Sequence, residues 1–153
     1  MKTIVINKIH KAYKIRLILV VAIMFALYGC PKADEEFVHE SNTISSIICR
    51  GKVLGTEVEG IIHEFDKNGV EITGVFTQEE VEGGSGLIIF SVPAIWNDEI
   101  DLTSVMLMAR LTWDQIITPS LMGRHDITGE GIIISVKSGA GTIRQYRIRG
   151  EYN

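Results

Sequence analysis

Residues 61–76 read IIHEFDKNGVEITGVF: two short runs rich in β-branched and aromatic side chains, joined by Asp66-Lys67-Asn68-Gly69. Asn-Gly tolerates the positive φ angles of a tight turn, so the stretch predicts a β-hairpin joining IIHEF to VEITGVF. In residues 70–77, Val70, Ile72, Gly74 and Phe76 alternate with Glu71, Thr73, Val75 and Thr77, the period of a strand packed on one side.

Outward from that hairpin the same texture continues. From Ile44 onward β-branched residues are dense, glycine is frequent and proline rare, and no window sustains the i, i+3, i+4, i+7 pattern of an amphipathic helix. Strands are expected at about 44–54, 57–65, 70–78, 86–92, 99–112, 127–137 and 142–152. Leu87-Ile88-Ile89-Phe90, Val105 to Leu111 and Ile132-Ile133-Ile134 are continuous apolar runs, which predicts core strands covered on both faces or crossing a closed barrel. In 142–152, Tyr146, Ile148 and Tyr152 fall on one face and Gln145, Arg147, Arg149 and Glu151 on the other, a half-buried closing strand. Glu79 to Gly86 reads as an acidic hairpin loop, and Pro119 to Asp126 as the longest connection. The fold class predicted is all-β: a single antiparallel β-sandwich of about seven to eight strands, with a small closed β-barrel as the alternative. No internal repeat of solenoid or propeller length is visible.

The N-terminus has a different composition. Residues 1–16 are basic, and Leu17 to Gly29 is an apolar or small-residue run followed by Cys30 and Pro31, the layout of an export signal. That run is too short for a stable transmembrane helix, which needs about 20 residues. The segment Leu27-Tyr28-Gly29-Cys30 resembles the lipobox of bacterial lipoproteins: Leu27, Gly29 and Cys30 match, and Tyr28 departs from the usual small residue. The resemblance implies cleavage between Gly29 and Cys30, a diacylglyceryl group on the Cys30 sulfur and an acyl chain, such as palmitate, on its new amino group. It also implies a membrane anchor, several acyl chains holding a protein where one does so only marginally, and an address in the cell envelope, on the outer membrane, periplasmic or surface-exposed. Pro31-Lys32-Ala33-Asp34-Glu35-Glu36 resembles the surface-export signal of lipoproteins in one Gram-negative phylum, and reads equally as a solvated linker. The domains expected are therefore a signal peptide, 1–29, a lipidated cysteine with an acidic tether, 30–43, and the β domain, 44–153.

The chain has 153 residues, with Lys+Arg 15, Asp+Glu 19 and a net charge of -4. Residues 1–29 take five bases and no acid, leaving ten bases against nineteen acids. That field argues against nucleic acid as a partner, which needs positive patches. With Cys30 lipidated, Cys49 is left alone in an apolar stretch and is expected as a buried, inert thiol.

Chemistry-bearing patterns are sparse. His63 and His125 have neither the His-Glu-x-x-His spacing nor a cysteine pair that would suggest zinc. His125, Asp126 and Ser120 could be set into a hydrolytic triad, but no Gly-x-Ser-x-Gly elbow accompanies them, so a hydrolase is the weakest reading and no catalytic residue is assigned. No cofactor or metal is expected. The best oxygen cluster for Ca2+ is Asn97, Asp98, Glu99 and Asp101, and its simpler reading is a solvated turn. Candidate binding residues are Trp96 with Asn97 and Asp98, which could stack on and bond a sugar, and Arg147 with Arg149, which project from one strand face about 7 Å apart and could grip a carboxylate or phosphate. Against these stand plainer readings: Trp96 caps the core, and the arginines guard a strand edge beside Glu151. Trp113, after an apolar run, is expected in the core. The expected function is a non-enzymatic, lipid-anchored envelope protein whose β domain binds a partner protein or a glycan; the alternative is a small barrel carrying an apolar ligand.

Overall fold

The computed structural model describes residues 38–52 and 55–153. The expected signal peptide, the lipobox-like segment with Cys30 and the acidic run at 34–36 lie outside the described residues. Among the described residues nine strands form two sheets: β1 (Ser46–Arg50), β2 (Glu57–Glu59) and β6 (Met106–Arg110) in the order β2-β1-β6, and β3 (Ile61–Phe65), β4 (Glu71–Ile72), β5 (Ser85–Val92), β7 (Ile116–Thr118), β8 (Ile132–Lys137) and β9 (Ile143–Tyr152) in the order β4-β3-β5-β9-β8-β7. Neither sheet closes into a barrel. The architecture is a β-sandwich, and every pairing is antiparallel except β5 with β9, which run parallel over Ser85 to Val92 and Gln145 to Tyr152. The purely antiparallel expectation is corrected there: the two long central strands enter the sheet from the same end.

The predicted hairpin is present, with Phe65 opposite Glu71. Gly69 N–H donates to Asp66 C=O at 3.0 Å and only Gly69 takes a positive φ, 78°, while Asp66 Oδ1 accepts from the Asn68 and Val70 amides, 2.8 Å each. This is a one-turn loop ending in a left-handed residue, in which only glycine avoids a steric penalty. Its second strand is short, because Val70 and Val75 are exposed and the chain bends away after Ile72. The expected strand at 57–65 is two strands, divided at Gly60, and 99–104 is turn or irregular chain rather than strand, with Val105 in an isolated bridge to His125. Strand β7 lies where the sequence pattern predicts no strand. The acidic stretch expected as a loop begins with a short helix, α1 (Gln78–Val81), because Thr77 and Glu80 form a reciprocal cap: Glu80 accepts the Thr77 amide at 2.6 Å while Thr77 Oγ1 accepts the Glu80 amide.

Alternation decides the core. Ile47, Cys49 and Leu107 of the small sheet meet Ile88, Phe90, Ile134, Val136, Tyr146 and Ile148 of the large one. The continuous apolar runs are therefore not covered on both faces by the described domain: Ile88, Phe90 and Ile134 are buried, whereas Leu87, Ile89 and Ile133 point to the opposite side of the large sheet. Residues 38–43, expected as the end of the tether, are strapped to the domain. His39 N–H donates to Asp114 Oδ2 at 2.9 Å, Asn42 is buried against Gln78 and Thr142, and Gln115 Nε2 donates to the Ser41 and Thr43 carbonyls.

Candidate functional site

One polar network crosses the interior. Glu64, Gly86 and Tyr146 lie in one row across β3, β5 and β9. A Cβ on Gly86 would fall 2.1 Å from the Tyr146 ring, so the missing side chain on β5 is the space in which that ring lies. The Tyr146 hydroxyl thereby reaches Glu64 Oε1, 2.6 Å, and accepts the Ile44 amide at 3.3 Å. Arg144 takes the other oxygen: its Nε is 2.7 Å and its Nη2 2.6 Å from Glu64 Oε2. Its remaining donors go to the carbonyls of Val81, Phe65 (2.9 Å) and Ser85 (2.5 Å). The side chains of Arg144 and Glu64 are 1% and 5% exposed. Burial holds the Glu64 carboxyl above its ordinary range, against the opposing pull of the Tyr146 hydroxyl and the Arg144 charge, and burial beside that carboxylate pushes the Tyr146 phenol up. Every group here is paired and sealed from solvent, so the network is a staple joining α1, β3, β5 and β9. Arg144, three residues before Arg147 on the same strand, points inward, on the same side of β9 as Tyr146 and Ile148.

The predicted site residues separate. Trp96 sits in a short 3-10 turn (Ala94–Trp96) and packs on the core, the plainer of its two readings; Asn97 and Asp98 follow it, exposed. The neighbouring oxygens are already used: Asp101 Oδ1 accepts both the amide and hydroxyl of Thr103, Asp101 Oδ2 accepts from Lys52 at 3.2 Å, and Glu99 accepts from Thr56 at 2.6 Å. Among the described residues no group of three or more His, Cys, Asp or Glu is placed to hold a metal. His63 Nδ1 lies 2.6 Å from Glu71 Oε1, both partly exposed, and His125 is held through its backbone to Val105. Ser120 Oγ accepts the Met122 amide at 3.2 Å. His125, Asp126 and Ser120 share no hydrogen bond with one another. Burial pushes the Cys49 thiol up to about 11. Trp113, expected in the core, is 90% exposed on the β6–β7 turn: the apolar run before it belongs to β6, and the chain has left the sandwich by Thr112.

Arg147 and Arg149 do project together, but β9 lies between β5 and β8 and is no edge, which removes the edge-guarding reading. Arg147 pairs with Glu130, not Glu151: its Nη1 donates to the Glu130 carbonyl at 2.8 Å and carboxylate at 3.2 Å. Arg149 Nε has no partner among the described residues. Their surroundings are apolar. Arg147 stands between Leu87 and Ile133, with His63 beyond Leu87, and Arg149 stands beside Ile89, with Ile61 beyond it. At the far end of the same face Lys137 lies between Ile143 and Ile116. Ile61, Ile133, Ile143 and Ile116 are 56%, 49%, 60% and 63% exposed. The outer face of the large sheet thus carries isoleucine and leucine beside arginine and lysine, with Ser85, Gln145, Ser135 and Thr118 in a polar row across its middle and Glu151 two residues beyond Arg149, in a chain whose residues 38–153 hold nine bases against sixteen acids. A separate open groove of about 610 Å3 lies between the free edges of β6 and β7, lined by Met106, Met108, Ile116, Ile117, Leu121 and Met122.

No family model and no curated protein matches the chain. A crystal structure of a protein from Bacteroides fragilis, described provisionally as secreted, is similar at a TM-score of 0.40 and 13% identity, over 74% of this chain and 97% of that one. A likeness of that size assigns neither a site nor an activity.

Proposed function

We propose that this is a lipid-anchored envelope protein, held at the outer membrane through Cys30, whose β domain binds a partner outside the cytoplasm and catalyses no reaction. The single observation carrying the binding reading is the outer face of the six-stranded sheet. Sheets bury one face in their own core; the second is ordinarily polar where water covers it. Here it carries Leu87, Ile89, Ile61 and Ile133. Apolar area of this kind, ringed by polar groups, marks an interaction surface. Support for a non-catalytic role comes from the strongest polar constellation, Glu64, Arg144 and Tyr146, being sealed in the core, with the partly exposed His63 and His125 hydrogen-bonded to no nucleophile. Support for the anchor is the Leu27-Tyr28-Gly29-Cys30 resemblance.

The anchor is tested by mass spectrometry and membrane fractionation of the wild type and Cys30→Ser. The wild type is expected in the membrane fraction, beginning at a lipid-modified Cys30, and Cys30→Ser without lipid and released. Finding no lipid on the wild type, or equal membrane retention of the variant, overturns it.

A further inference from the structure

We infer that the groove between the free edges of β6 and β7 is a binding site for a soft monovalent cation, Cu(I), held by the thioether sulfurs of Met106, Met108 and Met122. The inference is independent of the sheet face on which the partner-binding reading rests.

The distribution of methionine comes first. Of the five methionines in the chain, Met1 and Met24 precede Cys30, and the other three all line this one groove. Methionine is among the residue types most often buried, yet all three are exposed here. Alternation along β6 turns Leu107 into the core and leaves Met106 and Met108 on the open side, two residues or about 7 Å apart. Met122 joins them from the connection between β7 and β8. The reciprocal backbone bonds of Val105 with His125, 3.0 and 2.8 Å, run the chain before His125 antiparallel to β6. By that register Met122, three residues before His125, falls level with Met108, three residues after Val105. Gly123, at a φ of 97°, turns the chain there, and Ser120 Oγ holds the turn by accepting the Met122 amide at 3.2 Å. Three unbranched side chains, each with three rotatable bonds, can bring their sulfurs to one point over such a span.

The donor set then selects the ion. Thioethers are soft, neutral ligands that favour Cu(I) over Ca2+ or Mg2+, which want oxygen, and over Zn2+, which wants imidazole or thiolate. Among the described residues lining the groove none is a carboxylate, an imidazole or a thiol, and Gln115 is turned to the carbonyls of Ser41 and Thr43. Positive charge stands beside it: Arg110 follows Ala109, Arg124 follows Gly123 with its Nη1 tied to the Ser104 carbonyl at 2.6 Å, and Lys137 lies opposite Ile116. Those cations weigh on a divalent ion twice as heavily as on a monovalent one. An apolar peptide is the other use of a methionine-lined groove. What methionine adds over leucine is the sulfur lone pair, and replacing one by the other separates the two occupants.

The test uses the full chain as the cell processes it, purified in detergent with 13C in the methionine methyl groups. Anaerobic titration with Cu(I) is expected to shift the Met106, Met108 and Met122 methyl signals together and to saturate at one ion per chain, while a tenfold excess of Zn2+ or Ca2+ leaves them unmoved. Met106→Leu, Met108→Leu and Met122→Leu are each expected to weaken binding at least tenfold and the triple variant to abolish it, with little change in melting temperature because leucine conserves the volume. In case the variants fold poorly, X-ray absorption of copper bound to the wild type is expected to show three sulfur neighbours. Unmoved methyl signals, saturation at three ions per chain, an equal response to Zn2+, copper without three sulfur neighbours, or copper retained by the folded triple variant each overturns the site. Methyl shifts produced by an apolar peptide and not by Cu(I) overturn the ion and leave the groove as a docking site.

Discussion

Replacing Arg144 by Met should expose how much of the fold hangs on one buried cation. The side chain offers bonds to both sides of the crossing: the Glu64 carboxylate and the carbonyls of Val81, Phe65 and Ser85. Removing it leaves those carbonyls short of a donor at any pH, about 1–3 kcal/mol for buried groups so stranded. It also leaves the Glu64 carboxylate buried without its counter-charge, which brings the total to about 3–5 kcal/mol, much of the roughly 5–15 kcal/mol that holds a domain of this size. The two parts separate by pH. Glu64 already titrates above its ordinary value because it is buried. The folded state therefore binds its proton more tightly than the unfolded chain does. That favourable term is fully present below the ordinary glutamate pKa of about 4.3 and is lost as pH rises through the folded value. Without Arg144 the folded value climbs further. The deficit of Arg144→Met should therefore be smallest near pH 4.5, where the share of the stranded carbonyls remains, and grow toward pH 8. Urea unfolding in a Cys30→Ser background measures it: at about 2 kcal/mol/M for the slope, a deficit of about 4 kcal/mol lowers the midpoint by about 2 M. Adding Glu64→Gln should return at least about 1 kcal/mol at pH 7.5, since a neutral amide costs less to strand than a charge. A deficit under about 1 kcal/mol, or one flat between pH 4.5 and 8, would refute the assignment of the network as a charged staple.

The packing sets three further outcomes. Gly86→Ala should cost about 1–3 kcal/mol by pushing Tyr146 off its strand, and much less in a Tyr146→Val background, measured by thermal melting. Trp113→Ala should leave stability within about 0.5 kcal/mol and should remove the portion of tryptophan fluorescence that iodide quenches, because Trp96 is the shielded one. Cys49, with its thiol pushed up to about 11, should ignore a disulfide reagent at pH 8 until urea unfolds the chain; rapid labelling of the native protein would contradict its burial.

Periodicity in the chain was sufficient for the all-β class, the hairpin at Asp66 to Gly69, the closing strand and the projection of Arg147 with Arg149, because these depend on alternation and on one turn residue, both local properties. The inward role of Arg144 was legible in the same alternation, since it shares parity with Tyr146 and Ile148, but a charge at a core position reads as surface until its partner is known, and Glu64 is 80 residues away. Strand β3 shows the limit most directly. Ile61, His63 and Phe65 hold the open face, and Ile62 and Glu64 the inner one. The more apolar parity thus looks outward, because Glu64 is needed under Tyr146.

The sequence by itself therefore determined the basic and apolar composition of residues 1–29, the acidic charge of the chain beyond them and the strand texture of the β domain, all of which are properties of residues near one another in the chain. Only the tertiary structure decided that β9 is central and parallel to β5, that Trp113 lies in solvent, and that the apolar runs leave one sheet face uncovered by the described residues. Those outcomes depend on which strands pair, and pairing is settled by long-range fit: the ring of Tyr146 over the gap at Gly86, and one arginine whose donors find every acceptor around it.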